Sequence, residues 1–155
     1  MLLKHLFDLT LATMALLIFF PIILIVALMI KATSKGAILY WSERVGIGNK
    51  IFKMPKFRSM KSGTPAVATH KLKNTDSVLT PIGGFLRKSS LDELPQLWSI
   101  IKGDMSIVGP RPALFNQDDL IALRTDKGIH KLIPGLTGWA QINAATSSLF
   151  LKKLS

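Results

Sequence analysis

The sequence predicts a small α/β body of helices and short strands behind one N-terminal membrane helix, and three stretches predict it. From Leu9 to Ile30 no residue is charged, and the run has the length at which an apolar helix meets a bilayer. Between Ala37 and Met60 two short apolar runs, AILYW and IFKMPKF, flank Gly46, Gly48 and Asn49, as in paired strands about a tight turn. From Leu94 to Ile101 the residues Leu94, Leu97, Trp98, Ile100 and Ile101 give a third, helical element.

Composition narrows the partners. A chain of 155 residues suits one domain, and the membrane segment leaves a modest core for the rest. Twenty Lys and Arg against nine Asp and Glu give a formal charge of +11, which calls for an anionic partner: nucleic acid, anionic lipid or a phosphorylated substrate. A hydrophobic content of 48% favours membrane lipid. No nucleic acid is expected, because only Trp41, Phe52 and Phe57 lie near the basic run and they do not interleave along a groove. The absence of cysteine excludes disulfides, thiolate zinc sites and thiol catalysis.

Residues 1–31 form the membrane segment and 32–155 the remainder. Lys31 and Lys35 follow the apolar run directly, unlike the cleavage region of a secretory signal, so the segment is expected to be retained. Pro21 interrupts it, removing a backbone donor and predicting a kink or break. Leu9 to Phe20 extends roughly 18 Å and Ile22 to Ile30 roughly 14 Å, so only a nearly straight helix covers a core of about 30 Å. Lys4 and His5 precede the run while Lys31, Lys35 and Arg44 follow it, so both flanks read as cytoplasmic. These residues leave open a kinked spanning helix and a helix that enters and leaves one leaflet.

Along the second strand Lys50, Lys53, Lys56, Arg58 and Lys61 nearly alternate, which places several cations on one side or along a solvated edge. Ser62 to Thr75 reads as a mobile surface loop with a solvated His70. Thr80 and Pro81 open a short helix over Ile82–Lys88. Ala113 to Lys131 reads as one surface helix, and Pro134, Gly135 and Gly138 mark turns before Trp139.

The chemistry concentrates between Arg87 and Pro112, RKSSLDELPQLWSIIKGDMSIVGPRP. Ser90 and Glu93 have the spacing of a capping box, although Pro95 strains that reading and moves the regular helix toward Pro95. Either way Asp92 and Glu93 stand at a helix start, where amides favour carboxylates and phosphates together. Such acidic starts are also commonplace, so the pair alone does not choose between capping and chemistry. Adjacent carboxylates repel unless a cation intervenes, and Arg87, Arg111 or Mg2+ can supply it; an oxygen site shared with substrate phosphates and water suits magnesium. An ionised Asp92 beside a diphosphate can attack phosphorus and split one transfer into two steps. Gly109, Pro110 and Pro112 hold Arg111 on stiff backbone, for a phosphate or for an ion pair with Asp104 or Asp118.

In these residues the chain resembles the bacterial sugar transferase family, the monotopic polyprenyl-phosphate phosphoglycosyl transferases. The likeness rests on KHLFDL before the apolar run with Pro21, ERVG at Glu43–Gly46, KFRSM at Lys56–Met60, LRKSSLDELPQLWSIIKGDMSIVGPRP and PGLTGWAQIN. It implies a re-entrant helix kinked at Pro21 in the bacterial inner (cytoplasmic) membrane, with a small α/β catalytic part on the cytoplasmic face. It implies transfer of a phosphosugar from a UDP-sugar to undecaprenyl phosphate with Mg2+, releasing UMP through a covalent intermediate, as the first membrane step of a cell-surface glycan. Asp92 is then the nucleophile and Glu93 its partner, both near the metal, while Lys56, Arg58, Arg87 and Arg111 bind phosphate. Phe20, Glu43 and the AATSSLF continuation depart from the family pattern. The last implies that a C-terminal family segment is missing from 32–155, and the competing expectation is a catalytically impaired remnant or basic interaction module.

Overall fold

A computed structural model describes residues 2–65, 76–139 and 141–143. It is a mixed helix-and-strand body behind a long apolar helix, the α/β class predicted. His70, most of the loop predicted over 62–75 and the AATSSLF stretch lie outside the described residues.

Helix α1 (Leu2–Thr33) is continuous, with Pro21 inside it, and is longer than the charge-free run that announced it. Proline leaves the Leu17 carbonyl without its usual amide partner, yet it does not end the helix. Two arms of α1 pack on the body. Ala12 is fully buried with Met54, Leu97, Ile100 and Met105, flanked by Ala15 and Leu16. Val26 and Ile30 are buried with Phe57 and Leu86, flanked by Ile23 and Ala27. Between these arms residues 17–22 are all exposed, as are Leu24, Ile25 and Leu28 on the outer face. Burying each large side chain, such as Leu86 or Ile30, stabilises by about 1.5–3 kcal/mol, so α1 is a major partner in both cores.

Strands β1 (Leu39–Val45) and β2 (Ile51–Phe57) form the predicted antiparallel hairpin, in register Leu39↔Phe57 through Val45↔Ile51. Gly48 at φ 62° and Asn49 at φ 60° make the turn, positions that ordinary side chains avoid. Helix α2 (Gly83–Lys88) follows, one residue inside the predicted span. The capping box does not form: Ser90 sits at φ 58° without a side-chain cap, and a 3-10 segment covers Leu91–Gln96 before α3 (Leu97–Ile101). The left-handed Ser90 backbone goes with the missing cap, Pro95 has no amide to donate, and the regular α-helix begins only beyond it.

Strand β3 (Ser106–Val108) pairs in parallel with β4 (Gly135–Thr137), a union that the turn-rich sequence of both segments hid. Gly109 and Gly135 let the two backbones meet, because a Cβ on either would run into the other's main chain. The surface helix predicted over 113–131 contracts to α4 (Asp118–Asp126). Its expected first residues are drawn instead onto β1, where Val45 donates to the Ala113 carbonyl at 3.0 Å and Leu114 bridges Arg44. Gly128 at φ 70° ends the helix.

Candidate active site

The 3-10 segment aims its two acids into different surroundings. Asp92 is buried in the wall of an open cavity of about 300 Å³. Among the described residues the same cavity is lined by five basic side chains, Arg44, Lys56, Arg58, Lys61 and Arg87, and by one acid, Asp92. Glu93 turns toward Lys56 and Arg111: its Oε1 accepts from Lys56 Nζ at 2.7 Å and from Arg111 Nη2 at 3.3 Å. Lys56 is placed by β2, whose contacts with the Leu91–Gln96 segment bring it between the two acids.

The electrostatics separate the pair. Burial raises the Asp92 carboxyl above its ordinary pKa, with the Glu93 charge adding to that while Lys56 and Arg87 pull the other way. Burial would also raise Glu93, but the Lys56 ammonium and then the Arg111 guanidinium hold it below the usual range. Burial likewise lowers Lys56, against the opposing pull of Glu93 and Asp92. Glu93 is therefore an ionised hinge for two cations, whereas Asp92 is a poorly solvated carboxyl facing a cationic chamber. Two acids pushed apart in this way fit divided chemical roles.

The structure gathers Asp92, Lys56, Arg58 and Arg87 on one cavity and brings Arg111 in through Glu93. Asp104 pairs with Lys102 at 2.9 Å, so the alternative partner for Arg111 is neither Asp104 nor Asp118 but Glu93. Arg58 is buried and mostly committed to structure. Its Nη1 donates to the Lys35 carbonyl at 2.8 Å, and its Nη2 donates to the Ser34 carbonyl at 3.1 Å and to Ser34 Oγ at 2.6 Å. It thereby closes the C-terminal end of α1, where a cation meets the negative pole of the helix. Only its buried Nε lacks a hydrogen-bond partner.

At the other end of α1, Asp8 is buried against β3. Its Oδ2 accepts from Ser106 Oγ at 2.7 Å and Lys4 Nζ at 3.0 Å, and its Oδ1 accepts from the Ile107 amide at 3.2 Å. The sequence had shown Arg44 only as a flanking charge. In the fold it lines the Asp92 cavity while its Nε donates to Ser42 Oγ at 3.0 Å and its Nη1 to the Pro112 carbonyl at 3.3 Å. Its place in the ERVG strand, pointing to the same face as Ser42, was the available signal.

No cluster of three or more His, Cys, Asp or Glu exists among the described residues, but Mg2+ needs only one or two carboxylates beside substrate phosphates and water, and Asp92 with Glu93 offers that set.

The site is thus a buried acid in a basic chamber, on a body built around an apolar helix. The family model described as bacterial sugar transferase matches residues 1–154, and the chain belongs to that family. It is 43% identical over 145 residues to the UDP-glucose:undecaprenyl-phosphate glucose-1-phosphate transferase of Escherichia coli K12, covering 92% of this chain and 31% of that protein. It is 39% identical over 159 residues to the undecaprenyl-phosphate glucose phosphotransferase of Komagataeibacter xylinus, covering 96% and 29%. A shorter relative, the uncharacterized sugar transferase EpsL of Bacillus subtilis 168, is 39% identical over 155 residues, covering 99% of this chain and 74% of the relative. The chain thus spans about 30% of the length of several curated relatives that it matches.

Proposed function

We propose that this chain transfers a phosphosugar from a UDP-sugar to undecaprenyl phosphate, releasing UMP, at the cytoplasmic face of the bacterial inner membrane. The observation that carries the reading is Asp92, a buried carboxyl in a cavity walled by Arg44, Lys56 and Arg87, in a chain of this family. An Asp92 oxygen attacks the β-phosphorus of the UDP-sugar, and the bond from that phosphorus to the bridging oxygen breaks as UMP leaves. A phosphate oxygen of undecaprenyl phosphate then attacks the same phosphorus, the aspartyl bond breaks, and Asp92 is restored as a carboxylate.

The chain's own groups supply most of what each step needs. Lys56 and Arg87 favour the ionised form of Asp92 and offset phosphate charge. Glu93 holds Lys56 and Arg111 in register, so that both cations meet the diphosphate from fixed positions. Bound magnesium, held by Asp92 and Glu93, would supply further neutralisation of the phosphates.

The membrane arrangement belongs to the same proposal. Asp8 and Ile30 are about 33 Å apart along a straight helix, which is more than the hydrocarbon core, yet both are buried on one body. A fully spanning α1 would carry one arm away from that body. The exposed stretch 17–22 around Pro21 is the part free to enter lipid, which supports a re-entrant helix.

The test is incubation of the chain with magnesium and labelled UDP-sugars in the absence of lipid acceptor, followed by peptide mass spectrometry. A phosphosugar mass on Asp92 is expected, with Asp92→Asn abolishing adduct and turnover alike. A folded chain that forms no adduct and turns over no sugar nucleotide removes the reading and favours a basic interaction module.

A further inference from the structure

Helix α4 buries none of its nine residues, so its role is not to fill the core. Thr125 Oγ1 accepts from Asn49 Nδ2 at 2.9 Å at the hairpin turn, and Arg124, half-buried, donates from its Nη1 to the carbonyl of Arg111 at 2.7 Å. On the next peptide unit Arg44 Nη1 holds the Pro112 carbonyl at 3.3 Å. Two arginines from separate elements thus fix consecutive carbonyls of the segment whose side chain meets Glu93.

We propose that Arg124 is a positioning residue for the transfer reaction, with α4 serving as a strut that fixes the Arg111 backbone opposite the Arg44 tether. The inference rests on the proposed function. The Arg111 side chain is half exposed and touches Glu93 only at the long end of hydrogen-bond distance, so its aim depends on where its backbone stands. Prolines on both sides stiffen the segment but do not by themselves locate it relative to β2 and the Leu91–Gln96 turn. Arg124 has no place in the Asp92 cavity and acts only through Arg111.

The experiment measures kcat and KM for UDP-sugar turnover in Arg124→Ala, Arg124→Lys, Arg111→Ala and the Arg111→Ala/Arg124→Ala double variant. Loss of a fixed reacting geometry costs between about tenfold and a hundredfold, so Arg124→Ala is expected to lower kcat by that range with KM little changed. Arg124→Lys, which can still donate to the carbonyl, should recover most of the loss. In the Arg111→Ala background, removing Arg124 should cost nothing further. Equal losses in both backgrounds would assign Arg124 a general structural role, and full activity in Arg124→Ala would leave it none; either result overturns the inference while wild-type turnover preserves the proposed function. Absence of wild-type turnover removes both.

Discussion

Lys56→Met separates what Lys56 does for the fold from what it does for the site. The wild-type ammonium is only 14% exposed in its side chain and Glu93 24%, so the pair is largely withdrawn from water. Burial disfavours the charged Lys56, and removing that charge relieves the cost. Against this, Glu93 loses its 2.7 Å partner and keeps Arg111 at 3.3 Å. Orphaning a buried charge outright costs about 3–5 kcal/mol; with Arg111 retained and a quarter of Glu93 in water, about 1–2 kcal/mol is expected at neutral pH. Adding Glu93→Gln should return stability to within about 1 kcal/mol of wild type, because the remaining charge is then gone. Chemical denaturation in detergent micelles at pH 7, followed by tryptophan fluorescence, reads each value. A Lys56→Met loss above about 4 kcal/mol, or a double variant worse than the sum of the two singles, would refute a pair kept for function and not for stability. The pH dependence gives an internal check. Glu93 is lowered in the fold, so its contribution is fully present above its unfolded pKa of about 4.3 and fades as pH falls through the lower folded value; that acid-side loss should be smaller in Lys56→Met.

Three further outcomes follow from the geometry. Because burial raises Asp92, adduct formation should fail on the acid side at a pH above the ordinary aspartate value of about 3.9, and further up in Lys56→Met; a rate flat to pH 4 contradicts it. Gly135→Ala, whose Cβ would strike the Gly109 backbone, should cost about 1–3 kcal/mol and displace Arg111, read as lowered Tm with lowered kcat. Arg58→Ala strips donors from the Ser34 and Lys35 carbonyls and should cost about 1–3 kcal/mol, with increased hydrogen exchange at the end of α1.

The residues that were legible in advance are those whose signals are local. The hairpin announced itself through Gly48 and Asn49, and α1 through its lack of charge. The Asp92–Glu93 pair was visible as a pattern, but not the opposite environments that divide it, since these come from Lys56 and Arg111, 36 residues before Asp92 and 18 after Glu93. The parallel β3–β4 pair escaped notice because three-residue strands carry too little periodicity to read and their partner lies far along the chain. Of the two readings open at Ser90, the left-handed backbone there goes against the cap, and the regular helix begins beyond Pro95. Arg124 carried no sequence signal, as its partner is a main-chain carbonyl.

Helix α1 has the composition of a removable anchor and the contacts of a foundation. Ala12 completes one core cluster, Val26 and Ile30 the other, and Asp8 and Arg58 lock its two ends to the body. Cutting the chain after Thr33 would leave both clusters open, so a soluble version is not to be had by trimming. The same arrangement couples maturation to location: both core clusters close only against a helix whose outer face is apolar and exposed, so folding is completed where that face is covered.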